Sequence, residues 1–298
     1  MNWTGVIPAL TTNLRPDGAI DHPAFARHCR AMLDAGCNGL VCAGSLGEAA
    51  TLSADEKISL VRTAVRAARD RAPVVLGIAA LGTDEAVALA RAGAKAGAEG
   101  LMVLPPYVYS TDWREMKAHV AAVIGATRLS CMLYNNPVAY RTDFLPHQVA
   151  ELAAEHPNLA AVKESSGDVR RIIALRAALG ERLALLVGMD DAVVEGVRMG
   201  ARGWIAGLVN AFPRESVALF NAAVAGETAR ADAIYQWFLP LLRMDTVPKF
   251  VQLIKLVQEE TGTGSATVRP PRLLLEGAEL AAARRTLREA LRRRPRLA

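Results

Sequence analysis

Short apolar runs alternate along the chain with longer segments in which apolar residues return every three or four positions. The runs are VIPAL (6–10), GLVCAG (39–44), PVVLGIA (73–79), GLMVLPP (100–106), SCMLYN (130–135), LAAVKES (159–165), LALLVGM (183–189) and GWIAGLV (203–209). Runs of this length, bounded by turn residues and separated by helical patterns, predict βαβ units. The intervening stretches are amphipathic and Ala-rich, as in Ser53–Asp70 and Thr83–Ala96. Ser53 is placed to cap the first of these, with Asp55 and Glu56 in its first turn. Asp84 and Glu85 supply the acidic turn after Thr83, and Gly36, Gly97, Gly180 and Gly200 fall where helices should end. Eight strand–helix units predict a (β/α)8 TIM barrel over residues 1–225. An open doubly wound sheet would carry a Gly-rich phosphate loop after its first strand, and VIPALTTNLRPDG supplies none. Three further helical patterns, near 227–243, 247–260 and 276–293, predict a C-terminal helical extension (226–298) packed on the barrel.

Composition narrows the function classes. A chain of 298 residues with 52% hydrophobic and 5% aromatic content suits Ala- and Leu-rich helices on a parallel sheet. The net charge of +5 is concentrated in the tail RRTLREALRRRPR (284–296), which is expected to be a solvated helix face. No zinc-finger spacing or RNA-binding aromatic motif accompanies it, so nucleic-acid binding is not expected. Cys29, Cys37, Cys42 and Cys131 form no CxxC pair or metal-ligand spacing and are expected to be buried thiols, with no metal. MNWTGVIPALTT lacks the charged and apolar regions of a signal peptide, and no apolar run reaches spanning length. The expected setting is cytoplasmic, away from membranes.

In such barrels the chemistry sits where strands end and the following loops begin. That rule singles out AGSLGE (43–48), LPPYVY (104–109), YNNP (134–137), VKES (162–165), VGMDD (187–191) and IAGLV (205–209). Lys163 and Tyr134 fall on adjacent strands at the same end. A snorkelling strand-end lysine is the ordinary interpretation of Lys163. The other is a nucleophile, because an apolar mouth favours a lysine's amine over its ammonium. A neighbouring tyrosine can move protons during carbinolamine formation and dehydration, and Ser45 offers a relay hydroxyl. The amides of AGSLGE can cradle a carboxylate. Together these describe Schiff-base chemistry on a 2-oxo acid.

The segments GSLGEAATLSADEK (44–57), YNNP, VKESSGD (162–168) and GMDDAVVEGVRMGARGWIAG (188–207) resemble the dihydrodipicolinate synthase/N-acetylneuraminate lyase family of class I aldolases. The resemblance implies a (β/α)8 barrel, a homotetramer, and no metal or organic cofactor. It makes Lys163 the imine-forming residue and Tyr134 the general acid/base, with Ser45 as relay. It gives Gly44, Ser45 and Leu46 to the substrate carboxylate and Ile205 to the imine site, with Gly188 among the substrate-binding residues. Three positions depart from the synthase pattern: Leu46 replaces a threonine, Val108 replaces a tyrosine lent by a neighbouring subunit, and Ala139 replaces a carboxylate-binding arginine. Tyr107 or Tyr109 is a candidate replacement for the lost tyrosine, and Arg141 for the arginine.

SLGE with AYRTD (139–143), AGLVNAFPRE (206–215) and IYQWFLPLL (234–242) is more similar to the 1-pyrroline-4-hydroxy-2-carboxylate deaminases of hydroxyproline breakdown. Deamination of that pyrroline to 2-oxoglutarate semialdehyde is therefore the expected reaction. Dihydrodipicolinate synthesis, dehydration of a 2-keto-3-deoxy sugar acid and 4-hydroxy-2-oxo acid aldol cleavage stay open, as does a catalytically silent ligand sensor. Glu48 is expected to satisfy loop amides, Glu164 to orient its loop, and Asn135 and Asn136 to hold a turn. The five histidines fall away from strand ends, and Trp237 and Phe238 are expected to pack the extension.

Overall fold

The computed structural model describes residues 1–106 and 112–296, so Tyr107, Val108 and Tyr109 lie outside the described residues. All eight apolar runs form strands: β1 (Gly5–Pro8), β2 (Leu40–Cys42), β3 (Val74–Ile78), β4 (Gly100–Val103), β5 (Ser130–Asn135), β6 (Leu159–Glu164), β7 (Ala184–Val187) and β8 (Gly203–Ala206). They pair in parallel in the order β1-β8-β7-β6-β5-β4-β3-β2. Across the remaining seam, Asn38 N–H donates to the Val6 carbonyl (2.8 Å) and Leu10 N–H to the Val41 carbonyl (2.9 Å). The sheet is thus a nearly closed barrel ringed by helices, the expected (β/α)8 fold.

Local signals explain the helix ends. Ser53 Oγ accepts from the Glu56 amide (3.2 Å) and the Glu56 carboxylate accepts from the Ser53 amide (2.9 Å), a capping box on the helix Ala54–Ala68. Gly36, Gly97, Gly180 and Gly200 all take positive φ (+97°, +98°, +54°, +101°) beyond helix ends. Thr83 is the first residue of its helix rather than a cap; its hydroxyl meets His119 Nδ1 at 3.0 Å.

Three helices follow the one that closes the eighth unit (Pro213–Val224): Thr228–Leu242, Phe250–Glu260 and Gly277–Arg292. Trp237 stacks on Phe238 (centroids 4.9 Å apart) and donates its Nε1–H to the Ala290 carbonyl at 2.8 Å. The basic tail presents its arginines outward, with Arg284 on Glu260 (2.7 Å) and Arg294 on Glu215 (2.6 Å). The four cysteines are buried, and burial pushes the Cys29, Cys37 and Cys131 thiols up to about 12, so they act as small core residues. No described helix is long and apolar enough to cross a membrane.

Candidate active site

β5 and β6 are paired so that Tyr134 and Lys163 are direct register partners. Equivalent positions on adjacent parallel strands point to the same side, here the interior of the barrel mouth. Lys163 Nζ lies 4.0 Å from the centre of the Tyr134 ring, and the residues are only 7% and 4% exposed. No described carboxylate forms an ion pair with Lys163 Nζ. A buried lysine without an ion-pair partner does not fit the snorkelling interpretation, in which the ammonium reaches water.

The Tyr134 hydroxyl accepts a hydrogen bond from Asn136 Nδ2 at 2.8 Å. Accepting there leaves the phenolic proton available to reacting atoms. Asn136 also caps the short helix Pro137–Tyr140 through the Ala139 amide (3.0 Å), so one side chain fixes both the turn and the phenol. Asn135 is structural. Its Nδ2 donates to Asp143 (3.0 Å) and Glu164 (3.1 Å), and its Oδ1 accepts from the Phe144 amide (3.0 Å). Glu164 in turn accepts from the Ser166 amide at 2.6 Å, orienting the loop after β6, and burial raises its pKa.

Gly44, Ser45 and Leu46 line the same cavity, whose volume is about 480 Å³. The loop that carries them is held hard against the barrel. A Cβ at Gly77 would sit 2.6 Å from the Ala43 carbonyl, and one at Gly47 2.8 Å from the Leu10 carbonyl. Thr12 Oγ1 donates to the Gly47 carbonyl (2.6 Å), and the buried Glu48 carboxylate accepts from Lys255 Nζ (2.5 Å) and the Arg269 amide (3.0 Å). Glu48 is therefore a structural anchor, now joined to the C-terminal helices. The Ser45 and Leu46 amides donate to no described residue. Unpaired amides in a turn are suited to a carboxylate.

The hydroxyl of Ser45 hydrogen-bonds that of Tyr140, not that of Tyr134. Tyr140 packs edge-on against the Tyr134 ring, 5.7 Å between centroids at 88°. The local chain explains this placement: Tyr140 ends the short helix facing inward, and Arg141 then adopts φ +64°. That left-handed step leaves Arg141 exposed and outside the cavity lining. The arginine that does line the cavity is Arg272, 3.7 Å from Glu48.

Gly188 and Ile205 both face the cavity. A Cβ at Gly188 would fall 1.9 Å from Ser165 Oγ and 2.7 Å from Lys163 Cε, so glycine there gives the lysine stem its space. Ile205 is paired with Ile7 across β8 and β1 and is 1% exposed. None of the five histidines lines this cavity; His28, the most deeply enclosed, is bonded to Asn210 at 2.7 Å, and burial lowers its pKa.

Tyr140, Arg272 and Asp245 are among the lining residues that no strand end signalled. Asp245 ends a turn of 3₁₀ helix after Thr228–Leu242, far from any strand in sequence. Nearby, Asp190 accepts from Trp204 Nε1 (2.9 Å) and the Gly207 (3.0 Å) and Leu208 (2.7 Å) amides. Burial raises Asp190 to about 6, with these donors and Lys163 opposing the rise. Replacing Tyr140 by phenylalanine is expected to lower turnover about tenfold to a hundredfold while pyruvate still forms a trappable adduct. An unchanged kcat would leave Tyr140 as packing only.

The dihydrodipicolinate synthetase family model matches residues 2–290 of this chain. A 4-hydroxy-tetrahydrodipicolinate synthase of Sorangium cellulosum is 34% identical over 291 residues, 97% of this chain and 95% of that protein. One from Xanthomonas axonopodis pv. citri is 35% identical over 300 residues, covering 98% and 96%. Among solved structures, a prophage protein of the dihydrodipicolinic acid synthase family from E. coli K12, in complex with pyruvate, superposes with TM-score 0.92. It is 28% identical, covering 98% of this chain and 99% of that one. A chloride-inhibited dihydrodipicolinate synthase from Acinetobacter baumannii, also complexed with pyruvate, gives 0.90 at 28% identity and 98% of each chain.

Proposed function

The chain belongs to the dihydrodipicolinate synthetase family, as a lysine Schiff-base lyase of class I, and from that premise we propose that it deaminates and dehydrates 1-pyrroline-4-hydroxy-2-carboxylate to 2-oxoglutarate semialdehyde. One observation carries the choice of substrate. The cavity wall beside Tyr140 is made by Val138 and Ala139, Arg141 lies outside it, and Arg272 is engaged by Glu48. The loop 44–46 then serves the single carboxylate of the pyrroline, and among the described residues no unengaged cation other than Lys163 lines the cavity to meet a second one.

In this reading Lys163 Nζ attacks C2 of the ring imine, and the C2–N bond to the ring nitrogen breaks. The substrate is left as an imine on Lys163 with a free amine at C5. Tyr134 takes a proton from C3, and the C4 hydroxyl leaves as water. Tautomerisation moves unsaturation to C5, where hydrolysis releases ammonia, and hydrolysis at C2 frees the semialdehyde and the lysine. Overall one water enters and one ammonia leaves. Dehydration of a 2-keto-3-deoxy pentonate uses the same steps without the ring.

The second reading is 4-hydroxy-tetrahydrodipicolinate synthesis. It is favoured by the names of the relatives and by Arg272, which would serve a second carboxylate if freed from Glu48. The deciding experiment offers the pyrroline, 2-keto-3-deoxyarabonate, and pyruvate with aspartate semialdehyde, following ammonia, semialdehyde and condensation product. Ammonia and semialdehyde in equal amounts from the pyrroline are expected. Semialdehyde from ketodeoxyarabonate with no ammonia from the pyrroline would make it a sugar-acid dehydratase. Rapid condensation would make it a synthase.

A further inference from the structure

Two carboxyl groups lie under the barrel mouth, Asp190 fully buried and Asp245 half-buried, and they are not equivalent. Asp190 is saturated by an indole N–H and two backbone amides, which makes it the clamp of the loop after β8. Asp245 receives a hydrogen bond from no described residue, although it lines the same cavity as Lys163, Tyr134 and Gly188. Its approach is built into the chain. A Cβ at Gly207 would lie 2.0 Å from Asp245 Oδ1 and 2.5 Å from its Cγ, so only glycine at the end of β8 admits this carboxyl. A half-buried carboxyl with no described protein donor, lining the cavity that holds Lys163 and Tyr134, is free to meet a bound substrate. Burial and the neighbouring Asp190 charge both raise its pKa well above the usual carboxylate range, with Lys163 opposing. A carboxyl shifted in that direction is suited to delivering a proton into the cavity.

We propose that the Asp245 carboxyl is the acid that protonates the departing C4 oxygen of a 4-hydroxy-2-oxo acid held as an imine on Lys163. This rests on the dehydration step of the function proposed above. The step balances. The C3–H bond breaks and its proton goes to Tyr134. The electron pair enters C3=C4 as the C4–O bond breaks, and the Asp245 O–H bond supplies the proton that completes water. The resulting carboxylate lies across the cavity from the positively charged iminium on Lys163, which stabilises it. The same placement selects between two fates of one intermediate. Aldol cleavage needs a base to remove the C4–OH proton, whereas elimination needs an acid to deliver one. A proton-bearing carboxyl favours elimination.

The test uses Asp245→Asn, which keeps shape and removes the acidic proton, with 2-keto-3-deoxyarabonate and its 4-fluoro analogue. Fluoride leaves without a proton, so it reports everything except the acid. Elimination of the 4-hydroxyl is expected to fall by about 10²-fold or more, and 4-fluoride elimination to stay within about threefold of the unaltered protein. Borohydride trapping of the pyruvate imine confirms in the same samples that the variant is folded. An equal loss for both leaving groups would overturn the proposal in favour of a structural role, and so would full 4-hydroxyl elimination by the variant. If the unaltered protein released pyruvate from ketodeoxyarabonate instead of dehydrating it, the dehydration reading would fall and the proposal with it. Retention by Asp245→Asn defeats the proposal alone.

Discussion

Lys163→Ala is expected to abolish turnover, lowering kcat/KM by about 10⁴-fold or more, and to leave no covalent adduct after borohydride reduction with pyruvate. The size of the effect follows from the kind of loss. Every later step acts on an imine, so deletion of the amine removes the intermediate and not a single contact within it. Tyr134→Phe supplies the contrast. Its expected loss is about 10²–10⁴-fold in turnover, with the adduct still appearing, more slowly, because proton transfer and not covalent bonding is impaired. Intact-protein mass after reduction reads both. An adduct on Lys163→Ala would place the imine on another lysine. The other buried lysines among the described residues are Lys57, bonded to the Ala79 carbonyl (3.0 Å), and Lys255, paired with Glu48; neither lines the cavity.

Glu48→Ala is expected to destabilise the fold by about 3–5 kcal/mol, roughly a 6–15 °C fall in Tm. Glu48 is fully buried, and it meets Lys255, itself 1% exposed, at 2.5 Å. Without the carboxylate the Lys255 ammonium stays in the core with only the Thr267 carbonyl (2.6 Å) as acceptor. Burial already lowers the Lys255 pKa with Glu48 opposing, so removing Glu48 moves that pKa further down. The double replacement Glu48→Leu/Lys255→Met removes both charges and is expected to recover most of the loss, since an apolar pair of similar volume needs no compensation. Thermal unfolding followed by circular dichroism measures both variants. A loss under about 1 kcal/mol from the single change would show that water reaches the pair. Because Glu48 also anchors the loop of Ser45 and Leu46 to the C-terminal helices, the single variant should raise KM for 2-oxo acids.

The barrel was legible because its information is local. Each strand is an apolar run a few residues long, each helix a periodic stretch with a cap, and both patterns survive without knowing what they touch. Lys163 and Tyr134 were legible for a related reason. Both end strands that follow one another in the chain, and in a (β/α)8 fold consecutive strands are neighbours, so sequence position translates directly into adjacency. The role of Ser45 was legible only in part. A hydroxyl at the loop after β2 can be read from GSLGE, but its partner, 95 positions away, cannot. Arg141 shows the limit most sharply. It directly follows Tyr140, and the positive φ at the end of a four-residue helix sends one side chain to the cavity and the other to solvent.

The order of elements and the juxtaposition of Lys163 with Tyr134 were thus determined by the sequence itself. Periodicity, capping and strand order are properties of short segments, and the (β/α)8 rule converts them into positions. The tertiary structure alone decided that Tyr140 holds Ser45, that Arg272 and not Arg141 lines the cavity, and that Lys255 anchors Glu48 from 207 positions away. It also decided that Asp245, from beyond the last strand, lines the same cavity as Lys163. These contacts join segments distant in sequence. They depend on how loops and the C-terminal helices pack across the mouth, where small changes in φ redirect whole side chains and no periodic pattern records the outcome.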